Sequence, residues 1–335
     1  MIKLCIKCGL EGHTNRSCKG PVTSFGLIVY TLGKVCKGRI YPYLHTPCKE
    51  HPKISNEDDP FSPKEAVPGE ILFLLVERKD TVGFLNIVQG SYPEVEPYKT
   101  KKIQRFLNEL TCEERHRLLT WSFADLWKVA GSEKKDVKKA ETKFRNLDAD
   151  NLINGCTCQH KEADYLMPKG RLKFAETTKQ CALREFAEET GYNRKDVTLL
   201  DYPPYIEQFT GTDGKLYQNV FYIARLHEDA YIHTKLGDDP NQSKEVRNMG
   251  WFNLNDCMEI MRGYHQEKKD ILKKAHILIQ NCTRFYRTPQ NFSTTWKSRP
   301  VSHVSHSPPE RWNSTWRPHT YGSMGNVASI QSSEI

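Results

Sequence analysis

The stretch that decides the fold is "MPKGRLKFAETTKQCALREFAEETGY", residues 167–192. Thr177 and Gln180 stand at capping-box spacing, which predicts a helix that begins near Thr178. Gly191 follows the last acids of the stretch and is a natural residue to end that helix. Three glutamates therefore lie close together on one short helix, in a chain whose formal net charge is +8.

Helical geometry places the side chains of this segment on two arcs. At about 100° per residue, an apolar arc that should face a core is formed by Ala182, Leu183, Phe186 and Ala187. The other arc, on the side away from it, carries the carboxylates of Glu185, Glu188 and Glu189. These like charges repel one another, and Arg184, which pairs with Glu188 by spacing, cannot neutralise all three. The acidic arc is then either a solvated charged face or a site for a hard divalent cation, Mg²⁺ or Mn²⁺.

A tight basic turn precedes the helix. It reads Pro168, Lys169, Gly170 and Arg171. The backbone at Gly170 can come close to a ligand, and the charges of Lys169 and Arg171 suit phosphate. Acids that hold a cation beside a basic loop are typical of phosphoryl-transfer sites, where the cation bridges phosphate oxygens and polarises water. This context favours a cation site over a solvated face.

The spacing of these residues resembles a known family signature. Gly170, five residues, Glu176, seven residues and then "REFAEETGY" are similar to the Nudix box, G-x5-E-x7-R-E-U-x-E-E-x-G-U, at every fixed position. The resemblance implies an α/β fold, an α/β/α sandwich around a mixed sheet. It also implies hydrolysis of a nucleoside diphosphate that is linked to another group.

The resemblance also implies roles for individual residues. Glu185, Glu188 and Glu189 would be ligands of Mg²⁺ or Mn²⁺, and Glu176 would orient Arg184, support the loop and reach the metal site. Members of the family often add an acid from a later loop as ligand or base. The candidate here is Glu245, in "SKEVRNMGWF"; the alternative is a surface glutamate in a polar loop.

The residues around the box indicate a substrate class. "YLMPKGR" and "CALREFAEETGY" resemble mRNA-decapping Nudix enzymes, although Tyr165 stands where those have Trp. The chain is more similar to decapping proteins of large DNA viruses, of the African swine fever virus and mimivirus type, over about residues 21–288. This likeness implies an inserted helical segment, capped mRNA as substrate and action in the host cytoplasm. The alternatives are a Nudix hydrolase of diphosphoinositol or dinucleoside polyphosphates, and a non-catalytic RNA-binding protein.

Residues 99–145 show a helical pattern with a capping box at Thr111 and Glu114. They carry 13 Lys and Arg against 7 Asp and Glu, a net of +6. We therefore predict an inserted basic helical subdomain at residues 99–150 that supplies counter-charge to capped RNA. The alternative is that these cations only solubilise the protein.

The N-terminal residues 1–20 form a separate unit. Cys5, Cys8, His13 and Cys18 have the spacing of a CCHC zinc knuckle, and these side chains can close a tetrahedral structural Zn²⁺ site. Such knuckles commonly bind single-stranded nucleic acid. This one has few aromatic residues, so a purely structural role stays open.

The remaining sequence completes the predicted organisation. Nudix-domain segments are predicted at 21–98 and 151–288, with the box at 170–192, and a disordered tail at 289–335. Strands are expected at residues 23–30, 70–80, 197–205, 216–226 and 249–252, followed by a helix at about 256–286. The start of the chain has no apolar signal region, and the longest apolar run, "ILFLLV", is too short to cross a bilayer, so no membrane association is expected.

Overall fold

The computed structural model describes residues 4–36, 39–42, 69–133, 135–147, 153, 159–211, 214–230, 232 and 242–287. All of these residues belong to one compact unit. The predicted disordered tail at 289–335 lies outside the described residues. Within the described ranges, no helix is long and apolar enough to cross a membrane.

The described ranges contain both strands and helices. In chain order they are β1 (Val22–Cys36), β2 (Arg39–Pro42), β3 (Ile71–Arg78), α1 (Val82–Val88), α2 (Tyr98–Glu109), α3 (Cys112–Thr120), α4 (Phe123–Ala130), α5 (Val137–Arg145), β4 (Tyr165–Leu166), β5 (Lys169–Arg171), α6 (Thr178–Thr190), β6 (Val197–Leu199), β7 (Tyr205–Thr210), β8 (Leu216–Leu226), α7 (Gln242–Glu245), β9 (Val246–Phe252), α8 (Leu254–Ile260) and α9 (Gln266–Arg287).

Strand β1 is a central strand of a mixed sheet. It runs parallel to β8, with Val22 opposite Tyr217, and antiparallel to β5, with Phe25 opposite Gly170. Its later part is antiparallel to β3 and β2. Strand β3 also pairs with β4 and β9, and β8 with β6 and β7. The mixed sheet predicted from the sequence is therefore present.

The two faces of this sheet are covered by different helices. Because side chains alternate along a strand, Phe25 and Leu27 of β1 pack on the side of α6, whereas Ile28 and Tyr30 pack on the side of α8 and α9. Phe186 of α6 is completely buried in the first layer, which stabilises the fold by roughly 1.5–3 kcal/mol. The predicted α/β/α sandwich is confirmed.

Helices α1 to α5 surround a separate hydrophobic core. Its fully buried members include Phe84, Ile103, Phe106 and Leu126. Helix α1 contributes to this core, so the helical part begins near Val82, earlier than the sequence suggested. The reason is that α1 is short, at seven residues, and shows too little periodicity to be detected.

The capping box predicted for this segment is present, and its buried glutamate links the start of α3 to the start of α1. The Glu114 backbone N–H donates to Thr111 Oγ1 at 3.1 Å, and Glu114 accepts from the Thr111 backbone N–H at 2.8 Å. The same carboxylate accepts from Thr81 at the start of α1. Arg117 is also buried and pairs with Asp80. Part of the positive charge counted in the sequence, including that of Arg117, is therefore buried between these helices and does not lie on the surface.

Two predicted elements are interrupted. The strand expected at 197–205 is divided into β6 and β7, because Pro203 and Pro204 cannot donate to a ladder. The long helix expected from Asp256 is divided into α8 and α9. Arg262, at the break, is buried and donates to the backbone carbonyls of Glu109 and Glu162.

Candidate active site

Helix α6 begins and ends where the sequence predicts. The Gln180 backbone N–H donates to Thr177 Oγ1 at 3.2 Å, and Thr177 N–H donates to the Gln180 side chain at 2.9 Å. Gly191 ends the helix with φ of 76°, a left-handed value that favours glycine. Both ends of the helix that carries Glu185, Glu188 and Glu189 are thus fixed by local interactions.

Strand β5 lies directly against the acidic side of this helix. A Cβ atom placed on Gly170 would fall inside the carboxyl group of Glu185, so only glycine fits. The backbone N–H of Lys169 donates to Glu189 Oε2 at 3.1 Å. The basic turn and the acids, separated in sequence by more than a dozen residues, therefore form one site.

Arg184 lies at the centre of the acids. Its Nε and Nη2 donate to the two oxygens of Glu176 at 2.8 and 3.0 Å. Its Nη1 donates to Glu185 at 2.6 Å and to Glu188 at 2.9 Å, and Nη2 also donates to the Arg171 carbonyl at 2.9 Å. The i,i+4 pair with Glu188 was expected, but the arginine was not expected to be buried. It lies between the two arcs and bonds to three carboxylates.

The apolar arc is narrower than the sequence suggested. Ala182 and Phe186 are fully buried, whereas Leu183 and Ala187 are only half-buried. The buried surface of α6 instead includes Cys181. Arg184 is buried because the loop that carries Glu176 and the strand that carries Arg171 cover it from outside the helix.

The acids of the site carry more negative charge than their cations balance. Burial raises the pKa of Glu185, and the charges of Glu188 and Glu245 add to the effect. Burial also raises the pKa of Glu189 to about 8, against the opposing charge of Lys169. Glu176 behaves differently: burial opposes its ionisation, but the hydrogen bonds from Arg184 outweigh it and lower its pKa. The excess of oxygen donors at Glu185 and Glu189 fits a hard divalent cation.

Glu245 ends α7, immediately before β9, as the sequence placed it. Its side chain is exposed, yet it lies close enough to Glu185 and Glu189 to raise the pKa of both. Its carbonyl accepts from the Lys79 backbone N–H at 2.9 Å. The structure therefore brings together Glu176, Arg184, Glu185, Glu188, Glu189, Glu245 and the β5 residues.

The side chains of Lys169 and Arg171 point to the opposite face of the sheet from α6. Their partners in the register of β1 are Gly26 and Ser24, whose neighbour Ile28 packs on the side of α9. Burial lowers the pKa of Lys169, and nearby Lys268 contributes to that shift. Lys268 lies on α9, about 100 residues along the chain, and sequence reasoning did not find it.

The four predicted zinc ligands also converge. The side-chain ligand atoms of Cys5, Cys8, His13 and Cys18 lie within 4.8 Å of one another. Although burial opposes ionisation of Cys5, backbone N–H groups of Cys8 and Lys7 aimed at it lower its pKa to about 7. Three thiols and one imidazole in this arrangement suit Zn²⁺.

The knuckle is packed on the sheet. Thr23 N–H of β1 donates to the Lys7 carbonyl at 2.8 Å, and Leu4 packs against the core on the α6 side. A Cβ atom on Gly9 would overlap the ring of Phe25 and approach Thr178, the first residue of α6. The knuckle therefore lies against the Nudix-box helix instead of extending away from the fold.

Comparison with known proteins agrees with this geometry. Residues 153–274 match the family described as NUDIX domain. An Acanthamoeba polyphaga mimivirus protein named "Putative mRNA-decapping protein" is 26% identical, over 83% of this chain and 94% of its own length. The mRNA-decapping protein g5R of African swine fever virus (isolate Warthog/Namibia/Wart80/1980) is 27% identical, over 64% of this chain and 92% of its own. A C. elegans Ap4A hydrolase structure is 13% identical and covers 78% of this chain and 99% of its own, with a TM-score of 0.34. Residues 153–274 therefore form a Nudix domain, and the chain is a pyrophosphohydrolase.

Proposed function

We propose that this hydrolase removes the cap of mRNA, cleaving the cap pyrophosphate to release N7-methyl-GDP and 5′-monophosphate RNA. One observation carries the proposal. Similarity to the viral proteins named for decapping covers 83% and 64% of the chain, whereas the Nudix segment spans only residues 153–274. The likeness therefore includes residues outside the segment that all Nudix hydrolases share.

The acids of α6 have defined roles in this proposal. Glu185, Glu188 and Glu189 hold Mg²⁺ or Mn²⁺, with Glu176 beside them. When bound, the cation neutralises phosphate charge and polarises the attacking water. Arg184 keeps Glu185 and Glu188 in place through the hydrogen bonds described above.

Proton transfer falls to a carboxylate at the edge of the cluster. Glu189 and Glu245 are the two candidates. Glu189 lies against β5, where the Lys169 backbone N–H donates to it at 3.1 Å. Glu245 is exposed and reaches bulk water directly. Lys169, Gly170 and Arg171 of β5 hold the phosphates, and glycine at position 170 leaves room for the Glu185 carboxylate beside them.

The helical subdomain supplies the surface for the RNA chain. Its exposed cations include Lys101, Arg105, Lys138 and Lys139. Each cation that neutralises a phosphate releases a counterion, so binding of capped RNA weakens as salt is raised. We also propose that Zn²⁺ at the knuckle is structural, and that the enzyme acts in the cytoplasm of a host cell, where capped mRNA is found.

Product analysis of cap-labelled RNA tests the function. In Mg²⁺ or Mn²⁺ the wild-type enzyme should release N7-methyl-GDP, and Glu188→Gln should release at least a hundredfold less, as expected when a ligand of the catalytic cation is lost. Glu228→Gln is a matched control, because Glu228 is an exposed residue that pairs only with Arg225 among the contacts at that surface.

Substrate preference separates capped RNA from small substrates. The enzyme should favour capped RNA over a free cap dinucleotide, and Lys138→Glu with Lys139→Glu should reduce that preference and the dependence on salt. If the dinucleotide or a diphosphoinositol polyphosphate is the better substrate, the proposal fails. Full release of N7-methyl-GDP by Glu188→Gln would contradict the assigned role of the acids.

A further inference from the structure

Two aromatic side chains lie at the outer end of the β7–β8 ladder. Phe209 and Tyr217 are opposite each other in the register, and their rings stack with centroids 5.6 Å apart and planes at 15°. The side chain of Phe209 is 40% exposed. Phe209 is exposed, Tyr217 is half-buried, and β7, which carries Phe209, pairs with only one neighbour in the described sheet, so the stacked rings offer a flat apolar surface to a ligand.

This pair is on the same face of the sheet as the phosphate-binding side chains. Tyr217 lies opposite Val22 of β1, whereas Arg171 lies opposite Ser24 of the same strand. Val22 and Ser24 have even numbers in β1, as do Ile28 and Tyr30, which pack on the side of α9. Side chains alternate along a strand, so all of these positions face the same side of the sheet. Two residues along β1 and two strand spacings separate Arg171 from Tyr217, a distance of roughly 12 Å.

A buried ion pair between Glu207 and Lys268 lies beside the aromatic pair, on the same face of the sheet. Glu207 is 5% exposed and accepts from Lys268 Nζ at 2.7 Å and from Asn219 Nδ2 at 2.6 Å. The same Lys268 Nζ lies 5.4 Å from the centroid of the Phe209 ring. Phe209 therefore lies beside an ammonium that a buried carboxylate holds in place.

We propose that Phe209 and Tyr217 form a base-stacking subsite that binds the purine base of the nucleoside diphosphate released by the enzyme. Aromatic rings bind nucleobases through their flat faces, and a cationic N7-methylated base is also attracted to the electron-rich face of a ring. The distance of roughly 12 Å to Arg171 matches the reach from a nucleobase to its own diphosphate. The subsite deepens the proposed function and rests on it.

Phe174 is a second candidate for stacking on the base. Phe174 is 79% exposed in the loop between Gly170 and Glu176, beside the acids. It has no described aromatic neighbour to stack with, and it lies next to Lys173, whose ammonium contacts Glu188 at 3.2 Å. We favour the stacked pair, because its rings are already ordered before a ligand arrives, which lowers the entropic cost of binding.

Binding of N7-methyl-GDP to the full-length, zinc-containing protein tests the subsite directly. Phe209→Ala and Tyr217→Ala should each raise the Kd about tenfold or more, and Phe209→Tyr, which keeps a ring, should stay within about threefold of wild type. Ile206→Ala is the matched control, because Ile206 is on the same strand, is 57% exposed and points to the other face. Thermal unfolding of each variant separates loss of binding from loss of fold.

Hydrolysis of capped RNA gives the second readout. Phe209→Ala should raise KM by at least as much as it lowers kcat, whereas a merely structural defect would reduce the active fraction and leave KM unchanged. Equal Kd values for wild type and Phe209→Ala overturn the subsite, as does a loss of binding confined to Phe174→Ala. A wild-type enzyme that releases no N7-methyl-GDP refutes the proposed function. The Kd values of wild type and Phe209→Ala then test the subsite independently of catalysis.

Discussion

Replacing Arg184 by lysine tests how the acidic site is held together. Arg184 is 6% exposed, and its fork bonds to both oxygens of Glu176, which is 11% exposed. A third bond reaches Glu185, which is 12% exposed. The bond to Glu188 is left out of the estimate, because that side chain is 42% exposed and water screens the pair. Lysine keeps the positive charge but loses the planar fork that makes the two bonds to Glu176.

The expected loss follows from these contacts. Hydrogen bonds to charged groups contribute about 1.5–3 kcal/mol each, and lysine retains one of the three buried bonds. Removing one partner of a buried pair altogether costs about 3–5 kcal/mol. Because the charge stays, Arg184→Lys belongs at the lower end, with a loss of about 3 kcal/mol in the free energy of unfolding. For a domain of this size that loss lowers Tm by about 6–12 °C.

Denaturant unfolding measures the change, in buffer with a chelator so that divalent cations do not contribute. Arg145→Lys is the control: Arg145 bonds to Glu141 at 2.7 Å across one turn of α5, but is 71% exposed. Its loss should stay below about 0.5 kcal/mol. If Arg184→Lys unfolds within about 1 kcal/mol of wild type with an unchanged m value, the buried fork does not stabilise the site and the reasoning is refuted.

Three further predictions concern other parts of the chain. Gly170→Ala should lower kcat/KM by about a hundredfold or more without unfolding the protein, since it displaces the Glu185 carboxylate, whereas Gly263→Ala, which meets no atom within 4 Å, should change little. Cys8→Ser should lower the Tm of the main unfolding transition by at least about 2–4 °C, because the knuckle packs Leu4 against the core; an unchanged Tm would mean an independent knuckle. Asp164 has a pKa of about 2, as His265 and the charge of Arg262 outweigh the effect of burial. This lowered pKa contributes about 2 kcal/mol above pH 4 that disappears as the pH falls to 2, so wild type and Asp164→Asn should converge in stability over that range, measured by acid unfolding.

Local signals explain why helix α6 was predictable. The capping box at Thr177 and the glycine at 191 act within one turn of the residues they control, so the bounds of α6 could be read from the sequence. The steric fit between Gly170 and Glu185 could not, because it depends on how β5 is placed by its pairing with β1. The family signature supplied the association of those two residues, and the sheet register supplies its physical cause.

The burial of Arg184 was missed for a different reason. A helical wheel assigns each side chain to water or core by its angle, and arginine at the border of the two arcs reads as exposed. Arg184 is buried because it bonds to groups outside the helix, namely Glu176 in the preceding loop and the carbonyl of Arg171 in β5. Lys268 and Glu207 were missed in the same way, since they meet only through the packing of α9 on the sheet.

The helical subdomain, formed by α1 to α5, contacts the acidic site on one side only among the described contacts. Lys79, whose N–H donates to the Glu245 carbonyl, is followed directly by Asp80, the partner of Arg117 in α3. Arg247, two residues after Glu245, donates to the Lys79 carbonyl at 2.8 Å and to Glu113 of α3 at 2.6 Å. One flank of the acids is thus attached to the subdomain.

The other flank leads along β1 and β8 to Tyr217. On the proposed function, the RNA chain lies on the subdomain side and the cap base on the aromatic side, with the pyrophosphate held between them at Lys169 and Arg171. A free cap dinucleotide fills only the aromatic side and the acids. A preference for capped RNA then arises from the two flanks, and the Nudix box, which is the same for many substrates, does not have to distinguish them.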